Sequence, residues 1–148
     1  KHFEAPNLEI DLKHLKEKVD AGAEYIMTKM ILNTAKFFAF VKSCRDAGIN
    51  VPIIPGLKPI TSKKQLSVLP RIFHVDIPTD LSNEILKCKT DEDCEIAGTE
   101  WLVQQCKELK KFGLRGYFLV AISELLPILL PIIVKVLMKQ RLDLASQV

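Results

Sequence analysis

"VDAGAEYIMTKMILN", Val19 to Asn33, decides how the chain folds. A polar, highly charged segment stops at Gly22 and gives way to an apolar run. Gly22 supplies the left-handed stop that commonly ends a helix. Tyr25 to Leu32 then fits a strand, and its nearly continuous hydrophobicity suits a parallel strand covered on both faces. One residue interrupts the run. Lys29 puts an ammonium group among Tyr, Ile, Met and Leu, where a bare charge is costly. It is a catalytic lysine, a snorkelling one, or the mark of a lost function.

The pattern extends outward in both directions. Upstream, Leu8, Leu12, Leu15 and Val19 share one face of a helix over 8–21, with Asn7 as its N-cap. Downstream, Asn33 or Thr34 caps a second helix with Phe37, Val41 and Cys44 as its stripe and Gly48 at its end. "NVPIIPG" predicts a strand over 51–54, ended by Pro55 and Gly56. "SKKQ", Ser62 to Gln65, has the form of a capping box that opens a third, short helix. "RIFHVDIP" suggests a brief extended piece, and "TDLSNEILK" a small helix. A long helix over 91–112 has Asp91, Glu92 and Asp93 in its first turn and Lys107, Lys110 and Lys111 toward its end, as the helix dipole favours. Gly113 stops it, and "GYFLVAI" predicts a third strand before a helical tail from Ser123.

Helices alternating with short buried strands predict an α/β fold built on a parallel sheet. About three strands cannot close a barrel of eight. A half-barrel of this kind is expected to be incomplete, dimeric or docked on something else.

Composition sets outer bounds. The 148 residues carry a net charge of +3, with 48% apolar and 26% charged positions. The basic residues are spread over several helices without aromatic interleaving, which argues against nucleic acid as a partner. The start is polar and highly charged, unlike a signal peptide. The most apolar stretch, 117–138, is broken by Pro127 and Pro131, and Glu124 and Lys135 limit its uninterrupted apolar part to ten residues. A membrane span needs about 20. A cytoplasmic protein is the expectation. Cys44, Cys88, Cys94 and Cys106 form no CxxC pair and no zinc pattern, and are expected as reduced thiols.

"KHFEAPN", "DLKHLKEKVDAGAEYIMTKM", "CRDAGINVPIIPGLKPI" and "HVDIPTDL" resemble methylenetetrahydrofolate reductase, over about 1–117. The order and spacing of these pieces carry the likeness more than any one of them. They correspond to the second half of that family's catalytic (β/α)8 TIM barrel. On this resemblance, residues 1–122 form a partial barrel and 123–148 a divergent helical tail. The resemblance implies an oxidoreductase of folate one-carbon metabolism and methionine biosynthesis. Such an enzyme passes hydride from NADH or NADPH through FAD to 5,10-methylenetetrahydrofolate, giving 5-methyltetrahydrofolate. The early strands that supply a catalytic acid have no counterpart here, so no catalytic residue is assigned and no metal is expected.

Carried over residue by residue, the resemblance places His2, Asp11, His14, Glu17 and Lys18 at flavin-contacting positions. His14 and Glu17 differ chemically from the family, and a Glu17 carboxylate near a diphosphate is repulsive. Apart from the resemblance, Asp11, Glu17 and Lys18 are simply the solvated face of an amphipathic helix. Lys29, Gln65 and Leu69 fall at folate-contacting positions. The family has a glutamine at Lys29 that hydrogen-bonds the pterin. An amide donates and accepts, whereas an ammonium only donates. Gln65 has a local alternative, bonding the backbone of Ser62. Leu69 keeps the apolar contact of a family phenylalanine without its aromatic face. Two functions are therefore expected to compete: a piece of a reductase, inactive by itself, or a degenerate paralogue kept as a structural subunit.

Overall fold

The computed structural model describes residues 7–114 together with the backbone of Phe118 and Leu119. His2 and the tail over 123–148 lie outside these residues. Helix α1 (Leu8–Asp20) begins where Asn7 Oδ1 accepts the backbone N–H of Ile10 at 2.9 Å. Gly22, at φ +109°, turns the chain into β1 (Ile26–Met30). Asn33 repeats the same cap on Lys36 at 3.0 Å and starts α2 (Thr34–Asp46). After β2 (Ile53–Leu57) come α3 (Gln65–Phe73), α4 (Thr79–Lys87), α5 (Asp91–Lys111) and the short β3 (Phe118–Leu119). The strands pair in parallel in the order β1-β2-β3. The chain is thus an α/β fold on a parallel sheet.

β2 does not end at Pro55 and Gly56 but runs through both. The register pairs Met27 with Ile54 and Met30 with Gly56, so Thr28 and Lys29 together face Pro55. This bulge interrupts the ladder where proline has no N–H to give. The Gly56 N–H bonds the Thr28 hydroxyl at 3.2 Å. A Cβ on Gly56 would lie 2.8 Å from the Thr28 carbonyl oxygen, so the two strands need glycine here.

α3 also departs from the sequence expectation. The Gln65 side chain bonds Thr61 rather than Ser62, accepting its backbone N–H and donating to its hydroxyl, both at 3.0 Å, while the Gln65 backbone N–H donates to the Ser62 carbonyl at 3.1 Å. The helix continues through Pro70 to Phe73, shortening the expected extended piece to 74–78. His74 closes it in the left-handed conformation (φ 51°) and donates its N–H to the Pro70 carbonyl at 2.9 Å.

One apolar cluster joins Phe37, Val41, Cys44, Ile53, Leu57, Leu102 and Leu109, with Leu12, Leu15 and Val19 of α1 against it. A second joins Leu32, Ile60, Leu69, Leu81, Ile85 and Cys94. Burial along β1 alternates: Ile26, Thr28 and Met30 are half-buried, Met27 and Lys29 exposed. β1 is therefore covered on one face, not on both as its hydrophobicity suggested. Among the described residues, no helix is long and apolar enough to cross a membrane.

Candidate functional site

A cleft of about 710 Å³ follows β1 along its length. Asp11 and Leu15 of α1 form one wall, and Lys36, Phe37 and Phe40 of α2 with its N-cap Asn33 another. The segment from Phe73 to Asp76 completes it, tied to α2 by a 2.7 Å ion pair between Lys36 and Asp76. The pair is exposed at both ends and holds the rim only weakly.

Asp11 and Lys29 line this one cleft. His14 and Lys18 lie on the same stripe of α1 as Asp11, at i+3 and i+7, one and two turns further along the helix. Glu17 accepts from His14 at 3.1 Å, so its carboxylate is turned to a neighbour on its own helix. Lys29 is exposed, and its backbone carbonyl accepts the Thr28 hydroxyl at 2.8 Å. Gln65 and Leu69 are not brought into the cleft. Both ends of the Gln65 amide are occupied by Thr61, and Leu69 is 3% exposed within the second core cluster.

The strand ends beside the cleft are held by residues that sequence reasoning passed over. Trp101 Nε1 donates to the Leu32 carbonyl and Gln105 Nε2 to the Ile31 carbonyl, both at 3.2 Å. Gly98 brings α5 against the loop after β2, where a Cβ would lie 1.9 Å from the Ile60 carbonyl oxygen. Lys58 was also missed. It follows β2 directly and is 5% exposed, and burial holds its ammonium below the usual 10.5. Among the described residues no carboxylate pairs with it. The only sequence signal was a charge between Leu57 and Pro59 in an otherwise apolar stretch.

The donor set suits a ligand that carries both hydroxyl groups and negative charge. Asp11 accepts from hydroxyls, and Lys18 and Lys29 attract anions.

Comparison with known proteins gives a consistent result. The methylenetetrahydrofolate reductase family profile matches residues 1–130. A probable methylenetetrahydrofolate reductase (NADPH) of Caenorhabditis elegans is 34% identical over 113 residues, 76% of this chain and 17% of that protein. Methylenetetrahydrofolate reductase (NADH) 1 of Arabidopsis thaliana is 34% identical over 114 residues, 76% of this chain and 19% of that one. The 5,10-methylenetetrahydrofolate reductase of Salmonella typhimurium is 32% identical over 119 residues, 78% of this chain and 40% of its own. The chain thus spans under a fifth of the first two relatives. A solved structure from Clostridium thermocellum, a protein described as binding two copies of 5-methyl-5,6,7,8-tetrahydrofolic acid, superposes with a TM-score of 0.52. It is 18% identical and covers 76% of this chain and 41% of its own.

Proposed function

Because the chain belongs to the methylenetetrahydrofolate reductase family, we propose that it supplies three strands of a flavin-dependent folate reductase barrel and is inactive without the other strands. The observation that carries this reading is the cleft along β1. It joins Asp11 and Lys29, which the family resemblance assigns to flavin and to folate, on a sheet face that the described residues leave open.

The residues present fit a flavin dinucleotide in kind. Asp11 offers acceptors for ribityl or ribose hydroxyls, and Lys18 offers a cation to the diphosphate. The His14–Glu17 pair offsets part of the repulsion expected of Glu17. A bound FAD supplies two-electron hydride transfer between NAD(P)H and the methylene group of the folate. This chain's share is binding and orientation: Asp11 fixes the cofactor, and Lys29 meets the pterin with a donor where the family offers an amide.

A second reading is favoured by the folate positions themselves. Gln65 is engaged by Thr61, Leu69 is buried, and Lys29 has no acceptor to offer. A fold retained with an eroded site would serve as a structural subunit.

Flavin retention tests the two. The chain is purified by itself and, separately, together with a polypeptide carrying the remaining βα units of the Salmonella relative. Each is passed through gel filtration with FAD and then mixed with NADH under anaerobic conditions. The reductase reading expects no retained flavin for the chain by itself, and retained flavin that bleaches in the pair. A stable pair without flavin supports the structural reading. Stoichiometric flavin bleached by NADH on the chain by itself overturns the proposal.

A further inference from the structure

The corner between α4 and α5 holds two thiols that the folate reading does not use. Cys88 ends α4 with extended backbone (φ −57°, ψ 145°). Cys94 stands four residues beyond Thr90, the N-cap of α5. The link between them is tightly ordered. Asp93 accepts the backbone N–H groups of Lys89 and Thr90 at 2.9 and 3.0 Å, and the Thr90 hydroxyl accepts that of Asp93 at 3.1 Å. Both sulfurs are thereby brought to one turn of α4. Cys88 Sγ donates to the Glu84 carbonyl at 3.3 Å, and Cys94 Sγ lies 3.9 Å from that of Ile85. Cys94 is buried in the second apolar cluster, and Cys88 packs against the same cluster.

We propose that Cys88 and Cys94 are a dithiol that closes to an intramolecular disulfide by exchange with a small-molecule disulfide such as oxidised glutathione. Their unlike surroundings set the order of events. Cys88 is partly exposed, while Cys94 is fully buried and burial pushes its thiol up. Exchange needs an accessible thiolate. Cys88 therefore loses its proton to solvent and attacks glutathione disulfide; the S–S bond of glutathione breaks and one glutathione thiolate leaves. Cys94 then gives up its proton and attacks the Cys88 sulfur, expelling the second glutathione thiolate. The dithiol loses two electrons and two protons, and one glutathione disulfide becomes two glutathione thiols. The new bond closes a loop already held by the Thr90–Asp93 cap. It fixes the start of the helix that, further along, holds Ile60, Leu32 and Ile31 beside the cleft.

The test uses the full chain, equilibrated in glutathione buffers of rising oxidised fraction, quenched with acid, alkylated and mapped after trypsin. Cleavage after Lys89 separates the two cysteines, and a Cys106→Ser background leaves Cys94 as the only cysteine of its peptide. The expected product joins the Cys88–Lys89 peptide to the peptide beginning at Thr90, with Cys44 still alkylated and thermal stability raised. Cys94→Ser is expected to trap glutathione on Cys88, and Cys88→Ser to leave Cys94 unmodified. Two free thiols at every ratio, or scrambled pairing that includes Cys44, overturns the proposal. Because the map in the Cys106→Ser background needs neither Cys94→Ser nor Cys88→Ser, failure of either to fold leaves the test intact.

Discussion

Lys58 is buried at the end of β2, and burial lowers its pKa from the usual 10.5. In the unfolded chain it keeps its proton up to that usual value; in the folded chain it loses the proton at lower pH. Between the two values the unfolded state holds more protons, so stability rises with pH across that window. Below the lowered pKa the full penalty is present. Lys58→Met is expected to stabilise the chain at pH 7 by on the order of 1 kcal/mol, because a buried charge that no carboxylate among the described residues pairs is replaced by apolar contact. It should also flatten the alkaline rise. Thermal melts of both proteins from neutral pH to 10.5 check this, and equal slopes would count against it. Gly98 works in the opposite direction. In an open helix Gly→Ala gains up to about 1 kcal/mol. Here the added carbon meets the Ile60 carbonyl at 1.9 Å, so Gly98→Ala is expected to cost about 3 kcal/mol or more, read as a lower urea midpoint. Lys29→Gln touches function instead. Lys29 is exposed, so stability should stay level, while folate affinity in the completed barrel should rise by about 1–3 kcal/mol as the pterin regains its acceptor.

At the scale of elements, α5 shows which signals are local and which are not. Thr90 and Asp93 form a reciprocal cap with three bonds inside five residues. The backbone N–H groups of Lys89 and Thr90 hold the Asp93 carboxyl below its usual 3.8. A carboxyl with a lowered folded pKa contributes stability above its unfolded value, and that contribution is lost as pH falls through the folded one. Acid should therefore loosen the first turn of α5 below pH 3.8, and Asp93→Asn should remove that sensitivity. Thr90→Ala is expected to cost about 1 kcal/mol at neutral pH, measured by chemical denaturation. Local signals of this kind made the starts of α1 and α2 legible, since Asn7 and Asn33 reach only three residues ahead. α3 was misread because the Ser62–Gln65 pattern forms no capping box: the N-cap is Lys64, without a side-chain cap bond, and the Gln65 side chain turns back to Thr61. Trp101 and Gln105 could not be placed from sequence, because their partners lie 69 and 74 residues away. Pro55 misled for a related reason: the bulge that tolerates it belongs to the neighbouring strand.

For the whole molecule, the parallel α/β plan was legible because Gly22, Gly48 and Gly113 mark the helix ends and apolar runs follow. The candidate site was legible in part. Asp11 and Lys29 do share a cleft, but the engagement of Gln65 and the burial of Leu69 depend on contacts that no linear pattern carries. The continuous hydrophobicity of Tyr25 to Leu32 suggested two covered faces, yet Tyr25 and Met27 are 55% and 47% exposed. Helix α1 has no fully buried residue, and its own Leu8 and Ile10 are exposed. An interior barrel face is packed with side chains rather than wetted. If further βα units complete the barrel, Met27 becomes buried in it, and a charge there would lose its hydration. Met27→Glu should therefore leave the thermal stability of the chain by itself within about 0.5 kcal/mol. The same change should abolish co-purification with the remaining units of the Salmonella relative, whereas Asn50→Glu, on an exposed loop, should not. Undiminished co-purification of Met27→Glu would mean that this face stays in water, and that the chain is used without a closed barrel.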